Sequence, residues 1–276
     1  MMKTGHLPAE KQPIVVIGSS NTDMVVRTAR IPGPGETVLG DSFFITPGGK
    51  GANQAVTIAR LGGEVLFVTK LGKDIFGEQC RAAFEKDAVR TELVSWDEEN
   101  PSGVALISVD SKGENCIVVA PGANAFLGEE EIMKAGGHIM AASYILMQLE
   151  IPLSTVEAVA VMARRHDKKV ILNPAPACAL PDTLLQDLYL ITPNITEAES
   201  LTGTVIADEE SCRQAAKKLK DRGVRNVVIT LGSRGAYIDS DEFVGPVKGV
   251  KATVVDTTGA GDIFNAAMTL ALSHGK

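Results

Sequence analysis

Near its carboxyl end the sequence places an acidic residue directly after a glycine-rich turn. The segment VVDTTGAGDIFNAA (254–267) predicts a strand that runs into Asp256, a turn at 259–261 and a helix that begins near Gly261. Amides at a helix N-terminus point outward, and the helix dipole there favours an anion. Asp262 would then lie beside any anion held by the turn. Amides that hold a phosphate and a carboxylate that takes a hydroxyl proton together fit phosphoryl transfer.

The same segment also has a purely structural interpretation. Asp262 could simply complement the helix dipole, contributing about 0.3–1 kcal/mol, while the glycines make a tight turn. The segment matches neither a Walker A loop, because GKS or GKT is missing, nor a dinucleotide-binding GxGxxG.

A second glycine-rich segment, PGGKGANQA (47–55), precedes a predicted helix. Its three glycines allow close backbone approach, Lys50 offers a positive charge and Asn53 a directional amide. Alone, it could equally be a flexible entry to a helix with a solvated Lys50.

Composition narrows the class of protein. The chain has 276 residues and a net charge of −7, which argues against nucleic acid or an anionic membrane as partner. The first 13 residues lack the apolar core of a signal peptide, and no apolar run approaches the roughly 20 residues of a membrane span. Four cysteines without paired spacing and four histidines predict free thiols and no zinc site. We therefore expect a cytoplasmic protein.

Short apolar runs alternate with amphipathic segments along the chain, which predicts an α/β fold with a doubly wound, mostly parallel sheet and helices on both faces. The predicted strands are 14–18, 64–72, 143–150, 169–176, 187–194, 225–232 and 251–259. The predicted helices are 50–62, 74–86, 152–166, 207–223 and 261–273.

Two β-rich segments, 22–47 and 103–120, interrupt this alternation. The second is a hairpin pattern that turns through Ser111-Lys112-Gly113. Both could be surface decoration. Inserted near the carboxyl ends of early strands, they would instead form a small β-sheet lid over a ligand crevice. The expected division is then an α/β domain (13–21, 48–102 and 121–276), a β lid (22–47 and 103–120) and a flexible tail (1–12).

In order and spacing, these motifs resemble the ribokinase family of PfkB-type carbohydrate kinases from about residue 14 onward. GGKGANQA, MQLE, LNPAPA and TLGSRG resemble its ribokinase branch more than the fructokinase or adenosine kinase branches. The resemblance implies an ATP-dependent sugar kinase that phosphorylates the 5-hydroxyl of D-ribose. Asp262 would be the general base, and the turn of Gly259, Ala260 and Gly261 the anion hole.

The resemblance also implies the contacts of the sugar. Asn21, Asp23, Gly49, Lys50, Asn53 and Glu150 would bind it, with Asp262 at the reacting hydroxyl. Carboxylates and amides suit a ligand that consists mostly of hydroxyls.

For the nucleotide, the resemblance implies binding by Asn194, Glu197, Thr230, Gly232 and Ser233. Asn194 and Glu197 would support Mg²⁺ and the phosphates through water, although NITE is also a capping-box variant. Asp256 and the carbonyl of Thr258 match part of a site for a monovalent cation, K⁺.

Three further expectations follow from the resemblance. Family members continue past the final helix with elements that cover the adenine, so a form that only binds ribose stays an alternative, as does another sugar or nucleoside as substrate. A homodimer through the lid is implied. The residues themselves also suggest association, because exposed edges of the lid sheet and the apolar residues Val25, Phe43, Phe44, Ile117 and Val119 would invite pairing with a second copy.

Overall fold

The computed structural model describes residues 13–253 and 257–276. Its centre is a large sheet whose neighbouring strands from β11 to β5 are parallel, with an antiparallel hairpin, β12 and β13, at one edge. In spatial order the strands are β13 (Val244–Lys248), β12 (Gly235–Asp239), β11 (Asn226–Thr230), β10 (Leu190–Ile191), β9 (Lys169–Leu172), β8 (Tyr144–Met147), β1 (Ile14–Ile17), β4 (Val65–Gly72) and β5 (Val94–Asp97). The α/β prediction is confirmed.

Helices cover both faces of this sheet. They are α1 (Lys50–Arg60), α2 (Ile75–Lys86), α3 (Glu129–Ala141), α4 (Leu153–Arg165), α5 (Asp182–Leu185), α6 (Ile195–Thr202), α7 (Glu209–Asp221) and α8 (Ala260–Ser273). Strand side chains alternate between the faces. Ile14 and Val16 pack with α1, α2 and α8, whereas Val15 and Ile17 pack with the remaining helices. No helix within the described residues is long and apolar enough to cross a membrane.

The two β-rich segments form a separate four-stranded sheet in the order β3 (Gly40–Gly48), β2 (Asn21–Thr28), β6 (Gly103–Val109) and β7 (Asn115–Ala120). The predicted hairpin turn is confirmed, because the amide of Gly113 donates to the carbonyl of Asp110 at 3.0 Å. β2 follows β1 and β6 follows β5, so the small sheet stands at the carboxyl ends of the parallel strands.

Two expectations were wrong. Of the predicted strand 251–259, residues 251–253 and 257–259 form no strand, and residues 254–256 lie outside the described part of the chain. Within the described residues the edge of the sheet is formed instead by the hairpin β12–β13, and no strand pairs with the outer side of β13. Val25 is buried and not available to a second copy, because β2 is an inner strand that β3 and β6 flank.

The entry to α1 packs without clearance against the turn after β1. A Cβ on Gly51 would lie 2.6 Å from the backbone nitrogen of Ser19 and from the carbonyl carbon of Gly18. Backbone atoms cannot move aside as a flexible side chain would. Gly51→Ala should therefore lower the free energy of unfolding by about 1–3 kcal/mol, as overpacking does, measured by urea titration.

Gly137 offers the matched control, because it lies inside α3 with open space around its Cα. Gly137→Ala should raise the free energy of unfolding by up to about 1 kcal/mol through its better helix propensity. Equal effects of the two substitutions would contradict the steric argument.

Candidate active site

A pocket of about 200 Å³ opens at the carboxyl ends of the parallel strands, where open α/β sheets bind ligands. Residues that directly follow β9 and β10, together with the last residue of β11 and the first turns of α6 and α8, line this pocket. The lining residues are Lys50, Asn173, Ala175, Thr192, Asn194, Glu197, Thr230, Thr257, Gly259, Ala260, Gly261, Asp262 and Asn265. The topology thus gathers motifs that are far apart in the sequence.

Asp262 lies in the first turn of α8 and is buried. Its two carboxylate oxygens each accept a hydrogen bond from α1: Oδ2 from Asn53 Nδ2 at 3.0 Å and Oδ1 from Gln54 Nε2 at 3.1 Å. Burial raises the pKa of Asp262, whereas these amides and the charge of Lys50 act to lower it. The result is a carboxylate in a fixed orientation whose basicity exceeds that of an exposed aspartate.

Glu150 follows β8 and anchors the start of α1. Its Oε2 accepts from Ser19 Oγ at 2.6 Å and from the Lys50 amide at 3.0 Å. Its Oε1 lies 3.9 Å from Lys50 Nζ. The turn after β1, the end of β8 and the N-terminus of α1 therefore meet at this one carboxylate.

Asp23 on β2 lies against the backbone of Gly48. A Cβ at Gly48 would come within 2.3 Å of its carboxylate, so a larger residue there would displace Asp23. Burial, then the nearby charge of Glu150, raises the pKa of Asp23 to about 6, although Lys50 opposes the shift. Gly49 has a φ of 90° and stands too close to the Asn21 amide to carry a side chain.

Asn21 is more enclosed than expected of a residue that binds a ligand directly. It is only 2% exposed, and its Oδ1 accepts from Asn124 Nδ2 at 2.8 Å. Asn124 also accepts from the Ser20 amide at 2.8 Å. Asn21 and Asn124 thereby fix the crossing from the large sheet to the small one.

Asn194 and Glu197 form the capping box of α6. The Asn194 amide donates to Glu197 Oε2 at 2.8 Å, Asn194 Nδ2 donates to Glu197 Oε1 at 2.8 Å, and the Glu197 amide donates back to Asn194 Oδ1 at 2.9 Å. The structural interpretation of NITE is confirmed, yet both residues also line the pocket. Burial raises the pKa of Glu197.

Only one of the three remaining residues predicted to bind the nucleotide lines the pocket. Thr230 ends β11 and lines the pocket, whereas Gly232 and Ser233 lie in an exposed turn beyond it. Ala260 is the first residue of α8, and its amide donates to the Thr257 carbonyl in the preceding turn at 3.1 Å. The amides of Gly261 and Asp262 follow in the first helical turn, where N–H groups have no partner within the helix.

Of the predicted cation site, Asp256 lies outside the described residues, and Thr258 is exposed two residues before α8. Within 13–253 and 257–276, no group of three or more His, Cys, Asp or Glu side chains is placed to hold a metal ion.

Sequence reasoning missed several polar residues behind the pocket. Gln54, Gln148 and Asn173 are buried and joined by hydrogen bonds. They stand inside the motifs GGKGANQA, MQLE and LNPAPA, so motif membership was the available signal. Asn124 belongs to no such motif.

Comparison with known proteins identifies the family of this chain. A family model described as "pfkB family carbohydrate kinase" matches residues 11–276. The chain belongs to this family. It is therefore a carbohydrate kinase of the pfkB type, an ATP-dependent phosphotransferase, and the resemblance read from its motifs is confirmed.

Three relatives of this pfkB-family chain are informative. It is 41% identical to a ribokinase of Haemophilus influenzae over 96% of this chain and 87% of that protein. It is 38% identical to a deoxyribokinase of Salmonella typhi, over 91% and 82%. An Arabidopsis thaliana ribokinase structure, complexed with ribose and ATP, superposes with a TM-score of 0.87 at 33% identity, over 96% and 87%.

Proposed function

We propose that this kinase transfers the γ-phosphoryl group of ATP to the 5-hydroxyl of D-ribose, giving ribose 5-phosphate and ADP. The observation that carries the proposal is Asp262, buried and held by two amides, in the pocket that Lys50 also lines. The ribokinase relatives named above support ribose as the acceptor.

In this proposal Asp262 removes the proton of the hydroxyl as its oxygen attacks the γ-phosphorus, and the bond from that phosphorus to the ADP oxygen breaks. Amides at the start of α8 stabilise the charge on the phosphoryl oxygens. Because the Ala260 amide is engaged with Thr257, Gly261 is the stronger candidate of the turn. Gly259, with a φ of 72°, makes the turn possible.

Asp23, Glu150 and Lys50 bind the sugar in this proposal, with Asn53 and Gly49 beside them. Carboxylates that accept from hydroxyls and a lysine that donates to them suit a pentose. A site that pairs each hydroxyl rejects analogues that lack one, because its own polar groups are then unpaired. Asn21 contributes mainly by holding β2 at the site, since its oxygen is already occupied.

In this proposal the phosphates of ATP are bound by Asn194, Glu197 and Thr230. The base of the nucleotide lies towards Gly232 and Ser233. Each Glu197 oxygen accepts one hydrogen bond and keeps a second lone pair, which fits a magnesium ion held through water. Mg²⁺ carried in with ATP would neutralise charge on the phosphates. A monovalent cation, K⁺, near Asp256 and Thr258 rests on the family resemblance, whereas the expected cytoplasmic location rests on the composition of the chain.

The first test is ADP release from MgATP by this chain with ribose, 2-deoxyribose, fructose, adenosine or no acceptor, each with and without K⁺. Release with ribose alone is expected. A preference for 2-deoxyribose, which the deoxyribokinase relative makes the second candidate, would change the substrate and keep the mechanism. Thermal protection by ribose without any by MgATP, and no ADP release, would indicate a protein that only binds the sugar.

We also propose that the small sheet serves as a lid over the site and that the protein forms a homodimer through this sheet. Alternation places exposed apolar residues on its outer face: Val26, Phe43, Ile45, Leu106 and Val118. On the other face Phe44, Ile117 and Val119 are exposed as well. A cluster of exposed apolar side chains, such as the one on the outer face, is typical of an interface.

Leu106→Lys is the sharpest test, because Leu106 is half exposed on an inner strand between Met24 and Val118. We expect a dimer for the wild type and a monomer for the variant in sedimentation velocity. Val205→Lys, at a position that is 77% exposed outside both sheets, should leave the dimer intact. A monomeric wild type at micromolar concentration would refute the interface.

A further inference from the structure

Behind the proposed base lies a buried amide that the chemistry above does not use. Gln54 on α1 is fully buried, and its Nε2 donates to Asp262 Oδ1 at 3.1 Å and to Asn173 Oδ1 at 3.2 Å. Both hydrogens of this amide are therefore committed, one of them to the carboxylate.

A second glutamine fixes which way this amide points. Gln148, which follows β8, donates from Nε2 to Gln54 Oε1 at 2.6 Å. An amide has an acceptor at one end and donors at the other, so this bond forces the NH₂ group of Gln54 towards Asp262. Gln148 is itself buried, and its Oε1 occupies the space where Gly18 would otherwise carry a Cβ, 2.0 Å away.

The neighbouring amide on α1 is held differently. Asn53 donates to Asp262 Oδ2 but is only partly buried. Each carboxylate oxygen of Asp262 accepts a hydrogen bond from one of these amides, which fixes the plane of the carboxylate. Of the two donors, Gln54 is fully buried, so water cannot take its place. The charged groups that act on Asp262 are Lys50 on α1, Glu150 after β8, Asp23 on β2 and Glu197 on α6.

We propose that Gln54, oriented by Gln148, is a positioning residue that holds the carboxylate of Asp262 in the orientation and the ionised form that accept the hydroxyl proton. This inference rests on the proposed function, in which Asp262 is the base. Burial favours the protonated form of Asp262 and like charges add to that effect, whereas a hydrogen bond donated to the carboxylate favours ionisation. Losing the donor should therefore raise the pKa of Asp262.

Gln54→Met removes both donors at similar side-chain length. We expect the acidic limb of the kcat–pH profile to move up by about one unit, so that kcat at pH values on that limb falls about tenfold, with KM for the sugar within about twofold. Activity should recover partly at high pH, which a merely misfolded site would not do. Carboxyl ¹³C NMR of labelled aspartate gives a second readout, the pKa of Asp262 itself.

Three variants complete the experiment. Gln54→Glu adds a like charge beside Asp262 and should move the limb further than Gln54→Met. Gln148→Met keeps the donor but loses its orientation, so a smaller shift in the same direction is expected. Gln79→Met, on the exposed face of α2, should change nothing.

The outcomes separate this inference from the proposed function. If Asp262→Asn abolishes turnover while Gln54→Met and Gln148→Met keep the wild-type pH profile and carboxyl titration, Gln54 has no positioning role and Asp262 remains the base. If Asp262→Asn itself keeps wild-type turnover, the proposed mechanism fails first. A Gln54→Met protein that does not fold leaves Gln148→Met and Gln54→Glu to decide.

Discussion

Asp262→Asn is expected to lower turnover by about 10²–10⁴-fold, the usual contribution of general base assistance, while sugar binding persists. The carboxylate is the group in the pocket positioned by two amides from one helix. The amide of an asparagine at position 262 cannot accept the hydroxyl proton. The hydroxyl oxygen would then have to attack the phosphorus without help from a base. The measurement is kcat by steady-state ADP release, with sugar affinity from calorimetry.

The substitution should leave the fold intact. The NH₂ group that it introduces would face a donor amide, and Asn53 can turn its own amide to accept, because it is only partly buried. Gln54 cannot turn while Gln148 holds its oxygen. Wild-type turnover in a folded variant would remove Asp262 from the mechanism, whereas joint loss of turnover and sugar binding would indicate a structural role.

Asp23→Asn should weaken sugar binding about 10²-fold and, at pH 7, stabilise the protein without ligand. The loss of affinity follows from hydrogen bonds that sugar hydroxyls donate to a charged group, which contribute about 1.5–3 kcal/mol each. The gain in stability follows from the pKa of Asp23, which is raised to about 6 in the folded protein. The folded state binds this proton more tightly than the unfolded state does, so ionised Asp23 costs stability above about pH 6.

Urea unfolding at several pH values checks the second effect. Asp23→Asn should raise the free energy of unfolding by about 1–3 kcal/mol at pH 7. This increase should vanish below about pH 4, where the wild-type carboxyl is protonated in both the folded and the unfolded state. In parallel, sugar affinity of the wild type should fall as pH drops below about 6. The affinity of the variant should depend on pH less steeply over that range, because the carboxyl of Asp262, whose pKa burial also raises, remains at the site.

Asp97→Asn is the matched control. Burial alone would raise the pKa of Asp97, but hydrogen bonds from the amides of Asn100 and Glu99 and from the Asn100 side chain outweigh it, and the net shift is downward. This carboxylate therefore stabilises the fold above its unfolded pKa, and its loss should lower stability at pH 7 without effect on sugar affinity. If Asp23→Asn and Asp97→Asn changed the free energy of unfolding at pH 7 in the same direction, the opposite pKa shifts assigned to the two carboxyls would be contradicted.

Much of the fold could be predicted from the sequence, because buried parallel strands are continuous apolar runs. The run 14–18 became β1 and the segment 50–62 became α1, within two residues at each end. The segment 251–259 misled for the same reason, since apolar, β-branched residues indicate strand propensity but not a partner. Strand pairing depends on the tertiary structure, and within the described residues β13 is the last strand at that edge of the large sheet.

The site was predicted to a different depth. The glycine-rich turns and Asp262 have local signatures, because a turn and a helix N-terminus are local structures. Gln54 and Gln148 lie inside recognisable motifs, but nothing local marks them as partners: they are 94 positions apart, and only the packing of α1 against the end of β8 makes their hydrogen bond. A buried polar pair cannot be told from two exposed glutamines until the strand order is known.

Four carboxylates, Asp23, Glu150, Glu197 and Asp262, act on the same lysine and on one another, in a chain that carries a net charge of −7. A polyanionic nucleotide thus approaches against the field of the protein and is attracted only within reach of the helix N-termini. The Debye length shrinks from about 30 Å at 0.01 M to about 8 Å at 0.15 M ionic strength. Added salt should therefore speed nucleotide association, the reverse of electrostatic steering.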